Sequence, residues 1–149
     1  VTTFYAAGDG KERLTNMEMP YCIPILTEQD IVTARQMGRK LAKDLGYGMI
    51  FQSRIATAIS ELARNIFLYA DSGSVKINII EKEGKVGLAI VADDQGQGIR
   101  DIKKAMEDGY STSGGLGAGL PGVKRLMDQF TIESQAGKGT RVEIVKWRD

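Results

Sequence analysis

The stretch from about Ile50 to Ala70 constrains this chain more than any other. Phe51, Ile55, Ile59, Leu62, Ile66 and Tyr69 recur three and four residues apart, the repeat of one face of an α-helix. That stripe demands a second layer to bury it. On the same 3.6-residue repeat, Glu61 and Asn65 stand one turn apart at the margin of the stripe. Ser60 and Arg64 point further round, toward solvent.

The flanking segments supply the partner layer. Thr27 is a good N-cap with Asp30 in the capping-box position, and Ile31, Ala34, Met37, Gly38, Leu41, Ala42 and Leu45 follow at helical spacing until Gly46 and Gly48. Tyr21, Ile23 and Ile25 alternate as a short strand, which Pro24 confines to a sheet edge. After the long helix, Val75, Ile77 and Ile79 alternate, Glu83-Gly84-Lys85 turns, and Val86, Leu88, Ile90 and Ala92 alternate again. This is an antiparallel hairpin with one buried face. Ile102, Ala105 and Met106 suggest a short helix. Leu120, Val123, Lys124 and Met127 suggest another, with Pro121 in its first turn. Thr131–Ser134 and Thr140–Trp147 make a last hairpin around 136–139. The sum is α+β: a two-layer sandwich with a mixed, mainly antiparallel sheet and helices on one face. Residues 20–149 form one domain. Residues 1–19 show no periodicity and read as an N-terminal extension, partly disordered or vector-derived.

Composition matters mainly for what it excludes. The chain has 149 residues, 20 Lys and Arg against 19 Asp and Glu, and no histidine. A net charge near zero argues for neither nucleic acid nor membrane as partner. The lack of histidine removes Ser-His-Asp and Cys-His chemistry, the usual zinc sites and a phosphohistidine relay within the chain. Cys22, the one cysteine, can form no intrachain disulfide and reads as a small buried or strand residue. No apolar run is long enough to span a bilayer and no signal pattern opens the chain, so the expected location is cytoplasmic.

Eight of the 18 glycines lie between Asp93 and Gly122. Glycine at that density needs a conformational or steric reason. Asp94-Gln-Gly96-Gln-Gly98 follows a strand end, where a carboxylate can accept from an exocyclic amine such as that of adenine. The glycines there let backbone approach a planar ring, although the same pattern also makes ordinary turns. Ser111-Thr-Ser-Gly-Gly-Leu-Gly-Ala-Gly119 precedes a helix, as an anion nest does; a loop without ligand is the competing reading. It is neither a Walker A motif nor a Rossmann turn. The Asn65 amide oxygen is a hard ligand suited to magnesium, and Glu61 could take a proton from a hydroxyl or water. Both could equally be a solvated helix face. Gly137-Lys-Gly-Thr140 is a tight turn entering a strand.

Glu61-x-x-x-Asn65, Asp94-x-Gly-x-Gly98, Gly115-x-Gly-x-Gly119 and Gly139-Thr140, in that order, resemble the Bergerat-fold (GHKL) ATPases, the gyrase, Hsp90, histidine-kinase and mismatch-repair class. The resemblance spans about residues 21–147. It implies that Asn65 binds magnesium, that Asp94 recognises adenine, and that Gly96 and Gly98 flank the base. It further implies that Ser111, Thr112, Ser113, Gly114, Gly115, Leu116, Gly117, Ala118, Gly119 and Leu120 close over the phosphates, and that Thr140 supports the adenine contact through water. Glu61-Leu-Ala-Arg-Asn-Ile-Phe-Leu-Tyr-Ala70 and the run from Tyr110 to Asp128 look like the bacterial anti-sigma-factor serine/threonine kinases, stressosome switch kinases above all. Those are small single domains that use ATP and magnesium to phosphorylate serine or threonine on partners with sulfate-transporter-and-anti-sigma-antagonist (STAS) domains, and then engage a downstream regulatory effector. The segment between Gly98 and Gly115 carries few basic residues beyond Arg100, Lys103 and Lys104.

The expected function is therefore a serine/threonine protein kinase of bacterial stress signalling, with Glu61 as catalytic base and ATP and Mg2+ as ligands. The alternative is a nucleotide-gated regulator whose output is partner engagement, and a third reading is an interaction domain without ligand. Glu61 favours the first, because a pure binder has no need of it.

Overall fold

The computed structural model describes residues 2–7, 21–99, 102–107 and 119–148. Strand β2 (Tyr21–Pro24) leads into helix α1 (Glu28–Asp44) and helix α2 (Met49–Tyr69). The hairpin of β3 (Gly73–Lys82) and β4 (Lys85–Asp94) follows, then the short α3 (Ile102–Ala105), α4 (Gly119–Leu126), and the closing hairpin of β5 (Gln129–Gln135) and β6 (Gly139–Trp147). The chain begins with a further strand, β1 (Thr2–Ala7).

Local chemistry sets the helix limits. The Thr27 hydroxyl accepts the Asp30 N–H at 3.3 Å, and Asp30 Oδ2 accepts the N–H groups of Thr27 and Leu26 at 2.8 Å each. This is the expected capping box, satisfying donors that the first turn leaves open. Gly46, at φ 87°, ends the segment in the left-handed region that glycine tolerates. Gly38 decides how α1 meets α2: a Cβ there would run into Ile59 Cδ1. Its helix penalty of about 1 kcal/mol is small beside the burial of Ile55, Ile59, Leu62 and Ile66, each 2% exposed or less, at roughly 1.5–3 kcal/mol apiece.

The sheet has six strands in the order β1-β5-β6-β4-β3-β2, and every pairing is antiparallel. The expected mixed sheet is thus wholly antiparallel among the described residues. Register explains the core. Val75, Ala92, Val142 and Ile132 form one row across the sheet, and Ile77, Ile90, Ile144 and Phe130 the next. Both rows are buried in the same core as α1, α2 and α4. The β3–β4 turn is Glu83-Gly84, both at positive φ, which suits the twist of a two-residue hairpin.

Two features depart from the sequence reading. Thr2–Ala7, in the stretch without periodicity, pairs with β5 as an edge strand. The hairpin was expected to bury one face, yet Ile80, Ala89 and Val145 form a small second cluster with Trp147 on the opposite face. Cys22 lies in β2, as its strand reading has it, and is exposed. No helix among the described residues is long and apolar enough to cross a membrane.

Candidate active site

The end of β4, the loop after it and the C-terminal half of α2 converge. Gly73 lies between them: a Cβ there would meet Ile66 Cγ2 at 2.7 Å and Asp94 Cβ at 3.0 Å. A Cβ on Gly96 would meet Ala70 Cβ at 3.0 Å. Residue-thin packing therefore seats the Asp94–Gly98 loop against Ala70 at the C-terminal end of α2, the helix that carries Asn65.

Asp94 is held at one oxygen. Its Oδ1 accepts the Gly96 N–H at 2.8 Å and the Thr140 N–H at 3.3 Å. Oδ2 has no hydrogen-bond partner among the described residues. Burial pushes the carboxyl above its ordinary value; the two N–H donors oppose that, and the nearby Asp93 charge adds to it. An oriented acceptor with a spare oxygen fits an amine donor such as the adenine amino group.

The glycines have a second role beyond the one read from sequence. Gly98, at φ 80°, would place a Cβ 2.5 Å from the Gln135 carbonyl, and Gly139, at φ 126°, would drive one into the Asp94 carbonyl. They let the loop after β4 lie directly on the β5–β6 turn, where Gly137 N–H also donates to Gln97 O at 2.8 Å.

Ser134 joins these segments. Its hydroxyl accepts the Ile99 N–H at 2.6 Å, donates to the Gly139 carbonyl at 3.2 Å and lies 2.9 Å from the Thr140 hydroxyl. Sequence reasoning missed it, although a signal existed. Ser134 continues the inward phase of Phe130 and Ile132, and a polar side chain in an apolar phase needs internal partners.

On α2, Glu61 is deeper than the margin position read from the repeat, at 1% exposed. Arg64 does not point to solvent as expected. It folds back so that Nη1 meets Glu61 Oε1 at 3.2 Å, leaving its side chain 34% exposed. The buried carboxylate draws the guanidinium inward. Ser60 is also half-buried and donates to the Ala56 carbonyl at 3.0 Å. Asn65 is half-buried, and its carboxamide has no hydrogen-bond partner among the described residues. Gly119 and Leu120 open α4 and are buried against the core. The expected phosphate segment Ser111–Ala118 lies outside the described residues. No cluster of three or more acidic, histidine or cysteine ligands occurs among the described residues, so a metal here would depend on Asn65, phosphate oxygens and water.

An antiparallel sheet backed by helices, with an oriented aspartate at a strand end and a Glu/Asn pair on the central helix, is the arrangement expected of a nucleotide-binding domain of the ATPase type. Residues 51–148 match the family described as histidine kinase-, DNA gyrase B-, and HSP90-like ATPase. The chain is 63% identical over 126 residues to the serine/threonine-protein kinase RsbT of Bacillus subtilis, covering 85% of this chain and 95% of that one. It is 35% identical over 101 residues to an anti-sigma F factor of Clostridium botulinum, covering 63% and 69%. A crystal structure of the RsbU and RsbW domains of Rv1364c from Mycobacterium tuberculosis matches with a TM-score of 0.59 at 19% identity. That match covers 89% of this chain and 34% of the other, and it bears on the fold alone. The chain belongs to this ATPase family, in the serine/threonine kinase branch that includes RsbT.

Proposed function

We propose that this ATP-dependent serine/threonine protein kinase phosphorylates STAS-domain regulatory proteins of bacterial stress signalling, in the cytoplasm, and then engages a downstream effector. The observation that carries the reading is Glu61: a carboxylate 1% exposed, one helical turn from Asn65. Binding a nucleotide does not require that group, whereas accepting a proton from an acceptor hydroxyl does.

In this reading Asp94 takes the adenine amino group on its unshared oxygen, Gly96 and Gly98 flank the base, and Thr140 supports the contact through water. Asn65 would hold magnesium, which when bound neutralises phosphate charge. Ser111–Ala118 would lie over the phosphates, with Gly119 and Leu120 anchoring the end of that segment. Glu61 orients the serine or threonine hydroxyl and receives its proton. Phosphoryl transfer rests largely on positioning and electrostatics, which suits groups fixed by backbone and core.

The test is transfer of labelled γ-phosphate to STAS-domain proteins under ATP and magnesium, with phosphoserine or phosphothreonine as product. Glu61→Ala should keep nucleotide binding and lose transfer by about 10²-fold or more. Near-normal transfer by that variant rejects the base role, and absence of phosphoserine or phosphothreonine rejects the substrate class.

A further inference from the structure

The exposed apolar side chains gather rather than scatter. Phe67, Leu68 and Tyr69 end α2, and Leu26 stands just before α1; Leu68 is 48% exposed and Leu26 67%. The Ile25 N–H donates to the Gly73 carbonyl at 2.9 Å, which brings Leu26 to the end of α2. Single exposed apolar residues are ordinary, whereas a group of them marks an interaction surface. Helix phase joins this group to the transfer site. Leu68 and Tyr69 follow Asn65 by three and four residues, and Leu68 follows Glu61 by seven, so the Glu61–Asn65 face of α2 runs on into them. The rim is acidic. Glu28 and Asp71 are exposed, and neither is in an ion pair among the described residues. The last turn of α2 holds no basic residue to offset the negative end of the helix dipole. Arg64, the cation on this face, is already engaged by Glu61.

We propose that Leu26, Phe67, Leu68 and Tyr69 form the docking surface for the phosphate-accepting protein, and that Glu28 and Asp71 select an acceptor with lysine or arginine around an apolar contact. This rests on the reading that the chain phosphorylates a STAS-domain protein from the Glu61–Asn65 face of α2. A folded protein that brings its hydroxyl to that face meets Leu68 and Tyr69 next, one turn further along. Apolar burial holds it there, and the unpaired carboxylates steer its approach and reject an acidic surface. Met49 and Ile50 are also exposed, but they open α2 and lie roughly 27 Å from Leu68 along the helix, so they fall outside this surface.

Steady-state transfer of labelled phosphate to a STAS-domain protein tests this, with acceptor concentration varied. Leu26→Ser combined with Leu68→Ser should raise the KM for the acceptor roughly tenfold, as truncation at the centre of an interface does. Its kcat and its thermal stabilisation by ADP should stay as in the parent. Met49→Ser combined with Ile50→Ser removes as much exposed apolar surface at the other end of α2 and should leave both constants unchanged. Glu28→Gln combined with Asp71→Asn should raise the KM about threefold at low salt and flatten its dependence on ionic strength. An unchanged KM in the Leu26/Leu68 variant overturns the docking surface. So does an equal rise in the Met49/Ile50 variant, or a fall in kcat with KM unchanged. A KM lowered by neutralising Glu28 and Asp71 overturns the basic partner and leaves the apolar contact. Failure of the kinase reading looks different: the parent itself then yields no phosphoserine or phosphothreonine on STAS-domain proteins, and the docking surface falls with it.

Discussion

Asp94 and Thr140 face each other across the β4–β6 ladder, and the Thr140 N–H reaches Asp94 Oδ1 at 3.3 Å while Gly96 N–H reaches the same oxygen at 2.8 Å. Two backbone donors aim one side chain: the sheet register fixes Thr140, and the turn directly after β4 fixes Gly96.

Asp94→Asn should separate stability from binding. Burial raises the Asp94 carboxyl above its ordinary value, so the folded protein binds that proton more tightly than the unfolded chain. Stability from this group is full below the ordinary aspartate value and falls as pH rises through the raised one. The uncharged amide removes that loss and can still accept at Oδ1. Nucleotide-free Asp94→Asn should therefore melt at or above the parent at neutral pH, yet gain no stabilisation from ADP. Thermal melts with and without ADP check both halves; a large ADP shift in the variant would reject the adenine role.

Two glycines of one turn should respond differently to alanine. Gly137, at φ 78°, has nothing within 4 Å of a Cβ, whereas Gly139, at φ 126°, would drive one into the Asp94 carbonyl. Gly137→Ala should cost about 1–2 kcal/mol from backbone conformation alone. Gly139→Ala should cost more than about 2 kcal/mol and weaken ADP binding by displacing Asp94. Urea unfolding and ADP titration measure the pair; equal costs would show that the close approach is unimportant.

Lys146 is an interior cation far from the sequence motifs. Its Nζ meets Asp128 Oδ1 at 3.2 Å and stands 4.2 Å from the Phe51 ring centroid. The lysine is 7% exposed and Asp128 37%, so Asp128 can regain water when the lysine is lost. Lys146→Ala should cost about 1–3 kcal/mol, below the range for a fully buried pair. Lys146→Met, which refills the slot over Phe51, should cost less. The order of the denaturant midpoints decides this.

The capping box predicts a pH dependence of opposite sign. The N–H groups of Leu26 and Thr27 hold the Asp30 carboxyl below its ordinary value. Its contribution is present above the ordinary value and is lost as pH falls through the depressed one. Asp30→Ala should lower the melting temperature at neutral pH, and the gap to the parent should close in acid. A gap independent of pH would show that the carboxylate charge is not what caps α1.

Legibility followed the range of the interactions. The α1 capping box, the α2 stripe and the Glu83-Gly84 turn are local, so neighbouring residues announce them. Thr2–Ala7 lacks alternation, and its strand exists because β5 offers an open edge. The cluster of Ile80, Ala89, Val145 and Trp147 escaped notice because it gathers residues from three strands of a face read as open. Glu61 and Asn65 were visible as a spacing, but their depth was not, since burial depends on what packs over a helix.

By itself the sequence determined the elements and their order: amphipathic repeats, caps and turn residues act through neighbours along the chain. It also placed Glu61, Asn65 and Asp94 as candidates. Tertiary structure decided what surrounds them. Antiparallel register set Thr140 against Asp94, the glycine contacts seated the loop after β4 on α2, and burial of Glu61 turned Arg64 inward. Those outcomes depend on packing between segments distant in the chain, and no local pattern encodes them.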